Sequence, residues 1–211
     1  MVKNIEETIA NLRRAQSLLP SLEEVESLYN EAKEQGNKER INKLEKTRSK
    51  VIEAKSLEYK IIAVDHVDHG RIAEAEALFQ KAIDLGQEDY HMHFKLAEAY
   101  EEKGDVKKAL SEYERALSFE PEIDTIHIKI GTCYFQLAEF WKAAYHFEKA
   151  EEINPNDIGN VTLLALFYDK MDVHTDRAVR LYERAITLGD EEAKARLADL
   201  KERKGNELNS P

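Results

Sequence analysis

The chain has a single cysteine, Cys133, among 211 residues. No disulfide can form within it, and no thiolate spacing for a metal is present. Glycine and proline are scarce, at 8 and 4. Few runs alternate as a half-buried strand does. No stretch approaches the ~18 apolar residues of a membrane span, and the opening MVKNIEETIANLRR lacks the apolar core of a signal peptide. A glycine-rich phosphate loop, an HExxH pair, zinc spacing and a nucleophile elbow are all missing, so no cofactor or metal is expected and no enzymatic chemistry is indicated. What remains is rich in Glu, Lys, Ala and Leu, with 42% hydrophobic and 35% charged residues. That is a helix-forming composition with enough apolar content for a core. The net charge of −11 repels phosphate backbones and anionic lipids, so nucleic acid is not an expected partner. The expectation is a soluble, cytoplasmic, all-α protein.

A period of 34 runs through the sequence. Ala109, Tyr113 and Ala116 recur as Ala75, Phe79 and Ala82 upstream and as Ala143, Phe147 and Ala150 downstream; a fourth copy, Ala178, Tyr182 and Ala185, follows after 35. Before each triplet stands a second group: Tyr59, Ile62, Ala63 and His66; His93, Leu96, Ala97 and Tyr100; His127, Ile130, Gly131 and Tyr134; Val161, Leu164, Ala165 and Tyr168. The large residues fall at helical steps. The small ones mark places where two helices approach closely, because a larger side chain there would overpack the contact. Gly70 and Gly104 divide the two groups, and Pro121 and Pro155 close the second and third copies. The unit is a helix, a tight turn and a second helix.

Repeated in this register, the pattern resembles the tetratricopeptide repeat (TPR) family, over 56–192. The resemblance implies an all-α, right-handed α-α superhelix, a TPR solenoid, with repeats at 56–89, 90–123, 124–157 and 158–192. The sequence departs from the family at the early large position (Tyr59, His93, His127, Val161), at His66, and at Gln87 and Asp190, where proline is usual. The fourth copy has one extra turn residue within KMDVHTDRA, and its end also resembles Sel1-like repeats.

Residues 1–55 read as a helical extension. Ile5, Ile9, Leu12 and Leu19 share one face, Pro20 interrupts it, and Ser21 with Glu24 forms a capping box. Segment 22–55 is either a decayed repeat, with Gly36 placed 34 before Gly70, or part of a long helix starting near Asn37. The basic run KERINKLEKTRSK reads as a solvated helix face rather than a docking site. Residues 193–211 read as a capping helix, which covers the apolar edge of the last repeat, and a disordered tail, GNELNSP. HVDH and HMH invite a metal reading, but His66, His93 and His127 occupy core positions of the repeat.

The family resemblance implies that the first helices line a concave binding face. Carried onto this sequence, that face has an apolar strip of Val64, Phe94, Ile128, Phe135 and Leu166, with Lys60, Lys95 and Lys129 beside it and Glu98 on the same surface. The clamp by which some family members hold chaperone C-termini is largely absent, because Val64 and Lys95 stand where it needs asparagine. The implied function is a non-enzymatic adaptor or scaffold that binds a peptide or amphipathic helix, apolar with some acidic residues. The alternative is self-association, with the groove filled by the chain's own N-terminal helix or by a second chain, as in a homo-oligomer.

Overall fold

The computed structural model describes residues 2–208, with side chains described for 7–205. Among the described residues every regular element is a helix. Contacts group them into two units, Met1–Lys103 and Gly104–Pro211. The first holds α1 (Val2–Gln16), α2 (Leu22–Glu34), α3 (Lys38–Asp68), α4 (Ile72–Asp84) and α5 (Tyr90–Glu102). The second holds α6 (Val106–Phe119), α7 (Asp124–Gln136), α8 (Phe140–Ile153), α9 (Ile158–Lys170), α10 (Thr175–Leu188) and α11 (Glu191–Leu208).

The turns explain the period. Gly36, Gly70, Gly104, Ala138 and Asp172 stand 34 apart, and each has a positive φ, at 64°, 70°, 80°, 59° and 51°. A left-handed residue after a helix lets the next amide reach back five residues to an orphan carbonyl. Here Asn37 N–H donates to Ala32, Arg71 to His66, Glu139 to Tyr134 and Val173 to Tyr168, at 2.8–3.1 Å. Glycine takes this backbone without a Cβ penalty; the third and fourth copies adopt it with side chains attached. The extra residue of the fourth copy lies between Asp172 and Thr175, where His174 adds a further left-handed residue at φ 50°.

All twelve residues of the Ala–aromatic–Ala triplets are buried, none more than 4% exposed. Gly131 shows why the opposing positions are small: a Cβ built there would lie 2.7 Å from the Phe147 ring. Tyrosines on the first helices then tie successive pairs. Tyr100 donates to Glu76 and Tyr168 to Glu148, and Tyr134 donates to Glu114 at 2.6 Å. Burial, with the Glu114 bond second, pushes the Tyr134 hydroxyl up to about 12.

In the first unit α3 is one 31-residue helix, so the expected division at 55/56 marks no break in the chain. Nothing between Lys38 and Asp68 is glycine or proline, and helix propensity carries through. The helix packs against both α2 and α4. The Ser21–Glu24 capping box is formed, with bonds of 3.1 and 2.8 Å. Two residues of the basic run meet acids of α2: Arg48 pairs with Glu26 at 2.6 Å and Arg40 with Glu31 at 3.4 Å. α1 lies on α3, where the Gln16 amide donates to the Ala54 carbonyl at 2.7 Å and Arg13 pairs with Glu58 at 2.9 Å. The side chain of Ile5, expected on the α1 stripe, lies outside the described residues.

In the second unit α8, α9, α10 and α11 share a core that includes Phe147, Leu164, Tyr182, Leu197 and Leu200. α11 continues as helix to Leu208, through part of the segment expected to be a tail; 209–211 lie outside the described residues.

Candidate interaction surface

α9, with the sequence IGNVTLLALFYDK, is apolar around most of its circumference. Asp157 caps it, accepting from Asn160 N–H at 2.8 Å. The buried Asn160 amide donates to Asp124 at 2.9 Å and to the Ala150 carbonyl at 3.2 Å, anchoring α9 to α7 and α8. That bond, the largest influence on the group, holds the Asp124 carboxyl below its ordinary range. Val161, Leu164, Ala165 and Tyr168 enter the core, while Leu163 and Leu166 are only half-buried and Ile158 is exposed. A helix apolar all round is ordinarily covered all round; here, among the described residues, one face is not.

Two cavities open along that face. The first, about 190 Å³, is lined by Thr132 and Phe135 of α7, Phe147 of α8, and Leu163, Leu166, Phe167 and Lys170 of α9. Its walls are aromatic: Phe135 meets Phe167 edge-on at 6.1 Å and Phe140 at 5.6 Å. The Lys170 ammonium sits 5.1 Å from the Phe135 ring centroid. The second cavity shares Leu163 and Leu166 and runs towards the start of α11, where Asp190, Glu191, Glu192 and Arg196 close it. There Thr162 donates to Asp190 at 2.6 Å, which with smaller effects keeps that carboxyl below its ordinary range.

The structure brings two expected site residues, Phe135 and Leu166, into one cavity. In the same unit Ile128 and Lys129 of α7 are half-buried, and the Ile128 carbonyl accepts from Thr132 at 2.9 Å. In the first unit Val64 and Phe94 are half-buried. Lys60 pairs with Asp89 at 2.6 Å and Lys95 with Glu98 at 2.7 Å, so both lysines and Glu98 already have partners of opposite charge. Asp169, on the same helical row as Phe135 in the repeat frame, turns elsewhere: it accepts from Tyr182 at 3.0 Å and pairs with Arg203 at 2.5 Å.

The sequence reading missed Lys170. It lies one helical turn beyond Leu166, so continuing the α9 row by four residues would have found it. Also missed was an aromatic groove of about 410 Å³, where Phe140, Trp141 and Tyr145 of α8 face Met171, Val173 and His174. Trp141 is 74% exposed.

Of the three histidines at core positions of the repeat, His93 and His127 are buried and His66 is half-buried. His93 is buried, with Nε2 2.9 Å from Glu88. His127 Nε2 lies 3.2 Å from the Pro121 carbonyl, and its Nδ1 lies 3.0 Å from His146 Nδ1. A carbonyl only accepts, so His127 Nε2 carries the proton; neutral His127 then accepts at Nδ1 from His146. Among the described residues no group of three or more His, Cys, Asp or Glu side chains is placed to hold a metal, and no helix is long and apolar enough to cross a membrane.

Residues 62–122 match the family model described as tetratricopeptide repeat. Over that span the chain carries tetratricopeptide repeat sequence. No curated protein matches it in sequence. Among solved TPR structures, MamA (residues 41 to the end) from Desulfovibrio magneticus RS-1 superimposes with a TM-score of 0.60 at 20% identity, over 72% of this chain and 86% of that one. YrrB, described as a TPR protein with an unusual peptide-binding site, gives 0.55 at 17% identity, over 81% and 88%. The first TPR domain of Spaghetti (RPAP3), bound to the HSP90 peptide SRMEEVD, gives 0.50 at 17% identity, over 56% and 94%. At these identities the likeness is one of fold.

Proposed function

We propose that this TPR protein is a non-enzymatic adaptor that holds a peptide or amphipathic helix of a partner protein on the inward faces of its first helices. The observation that carries this reading is the apolar face of α9 left uncovered among the described residues, with two cavities that share Leu163 and Leu166. Contiguous apolar surface of this kind marks interaction sites. YrrB and the RPAP3 domain, alike in fold, are described with peptide sites. In the first unit, taken by itself, Val64 and Phe94 are half-buried at corresponding places in the repeat, beside Lys60, Lys95 and Glu98. Because Lys60 and Lys95 are already paired, burial and shape contribute more there than attraction to an acidic ligand. The alternative is self-association.

The test is a cross-linked pulldown from native lysate with the wild type and with Thr132→Phe, which fills the first cavity from a half-buried position. The reading requires a partner that is cross-linked to α7 or α9 of the wild type and lost from the variant. A partner retained undiminished by the variant refutes it. Light scattering across a hundredfold concentration range separates the alternative, which requires a rising mass.

A further inference from the structure

The α9 face has a polarity. Lys170 at one end is exposed and, among the described residues, has no carboxylate within ion-pair distance; its one neighbour of note is the Phe135 ring. This is notable in a chain of net charge −11, where Lys60 and Lys95 on the equivalent faces are each paired. At the other end the second cavity is rimmed by Asp190, Glu191 and Glu192, against Arg196. Between them Leu163 and Leu166 form the shared wall of both cavities.

We propose that this face takes a short segment of another protein carrying two neighbouring apolar side chains and an acidic residue beside them, the apolar pair seated in the cavities and the carboxylate against Lys170. The proposal rests on the reading above and adds the ligand's chemistry and direction. A cavity of about 190 Å³ matches a leucine- or methionine-sized group, since removing a leucine side chain opens about 150 Å³. The face from Gly159 to Lys170 spans about 16 Å, the length of roughly five extended residues or three helical turns. A stable dimer instead buries about 800 Å² on each partner, over 20–30 residues. That length favours a segment over a folded second copy. A carboxylate beside Lys170 gains a partner without displacing one, whereas a basic residue there meets an uncompensated like charge.

The experiment is selection of a random 12-residue peptide display library on the immobilised full chain, in parallel with Lys170→Glu and Thr132→Phe, each checked by circular dichroism melting. On the wild type the expected binders pair two apolar residues with an adjacent Asp or Glu. Lys170→Glu should replace that acid with Lys or Arg and weaken wild-type binders at least fivefold. Thr132→Phe should lower recovery tenfold or more while melting as the wild type does. Binders lost with Thr132→Phe but indifferent to charge at 170 overturn the polarity and leave the groove reading intact. Binders indifferent to both variants, or no enrichment on the wild type, overturn both. A concentration-dependent dimer dissociated by Thr132→Phe would make a second copy the occupant and overturn the proposal.

Discussion

Exchanging the turn residues Ala138 and Gly104 should shift stability in opposite directions. Ala138 stands at φ 59° and Gly104 at φ 80°, at the same place in successive repeats. A left-handed backbone costs an L-residue about 1–2 kcal/mol through the clash of Cβ with the following carbonyl. Glycine escapes that cost but makes the unfolded chain more flexible, which returns about 0.4–1 kcal/mol. Ala138→Gly should therefore gain about 0.5–1 kcal/mol. Ala138 is exposed, so no core packing is lost. Gly104→Ala should lose a similar amount, and nothing lies within 4 Å of the added Cβ to enlarge the penalty. For a chain of this size each kcal/mol moves the midpoint by about 2–4 °C, so the two variants should melt roughly 1–4 °C above and below the wild type. Because the chain has two units, the transitions should be followed by calorimetry, so that the unit that shifts can be identified. A lower midpoint for Ala138→Gly, or a higher one for Gly104→Ala, would refute the assignment of these positions as strained left-handed caps.

Gly131→Ala places a methyl group against Phe147; overpacking at about 1–3 kcal/mol should outweigh the ~1 kcal/mol of added helix propensity, giving a net loss near 1 kcal/mol in chemical denaturation, and an unchanged midpoint would contradict the close contact. His146 is neutral in the folded protein, its pKa pushed down to about 4 by burial and the neighbouring His127. Because that value lies below the ordinary 6.5, the unfolded chain takes up the proton first: the contribution is complete above pH 6.5 and lost as pH falls towards 4. Melts at pH 7.5 and 4.5 should show the wild type losing more stability than His146→Gln, by on the order of 1 kcal/mol after allowance for solvent screening; equal losses would remove His146 from the account. Trp141, the one tryptophan, should emit as a solvent-exposed indole, and Trp141→Ala should change stability by less than about 0.5 kcal/mol; a blue-shifted emission maximum would place it in a covered site.

The repeat was legible because its physics is local and periodic. The Ala–aromatic–Ala triplets and the positions of Ala63, Ala97, Gly131 and Ala165 report how near two helices come, and every copy must solve the same packing problem. The α3 helix was open from sequence, because a decayed repeat and a long helix share the same residue preferences; an unbroken run without glycine or proline became one helix.

The candidate surface was legible only in part. Phe135 and Leu166 follow from counting along the repeat, since the side-chain row of a helix is fixed by its period. Charge pairing does not follow from counting. Whether Lys60 meets Asp89, Lys95 meets Glu98, or Lys170 meets the Phe135 ring depends on where long side chains end after the helices pack. The sequence by itself determined the helix pairs, their caps and their small contact residues, because those obey short-range sterics and hydrophobic periodicity. Tertiary structure alone decided which face of α9 stays uncovered among the described residues, where its cavities open and that Lys170 has no described carboxylate within ion-pair distance, because those depend on contacts between residues far apart in the chain.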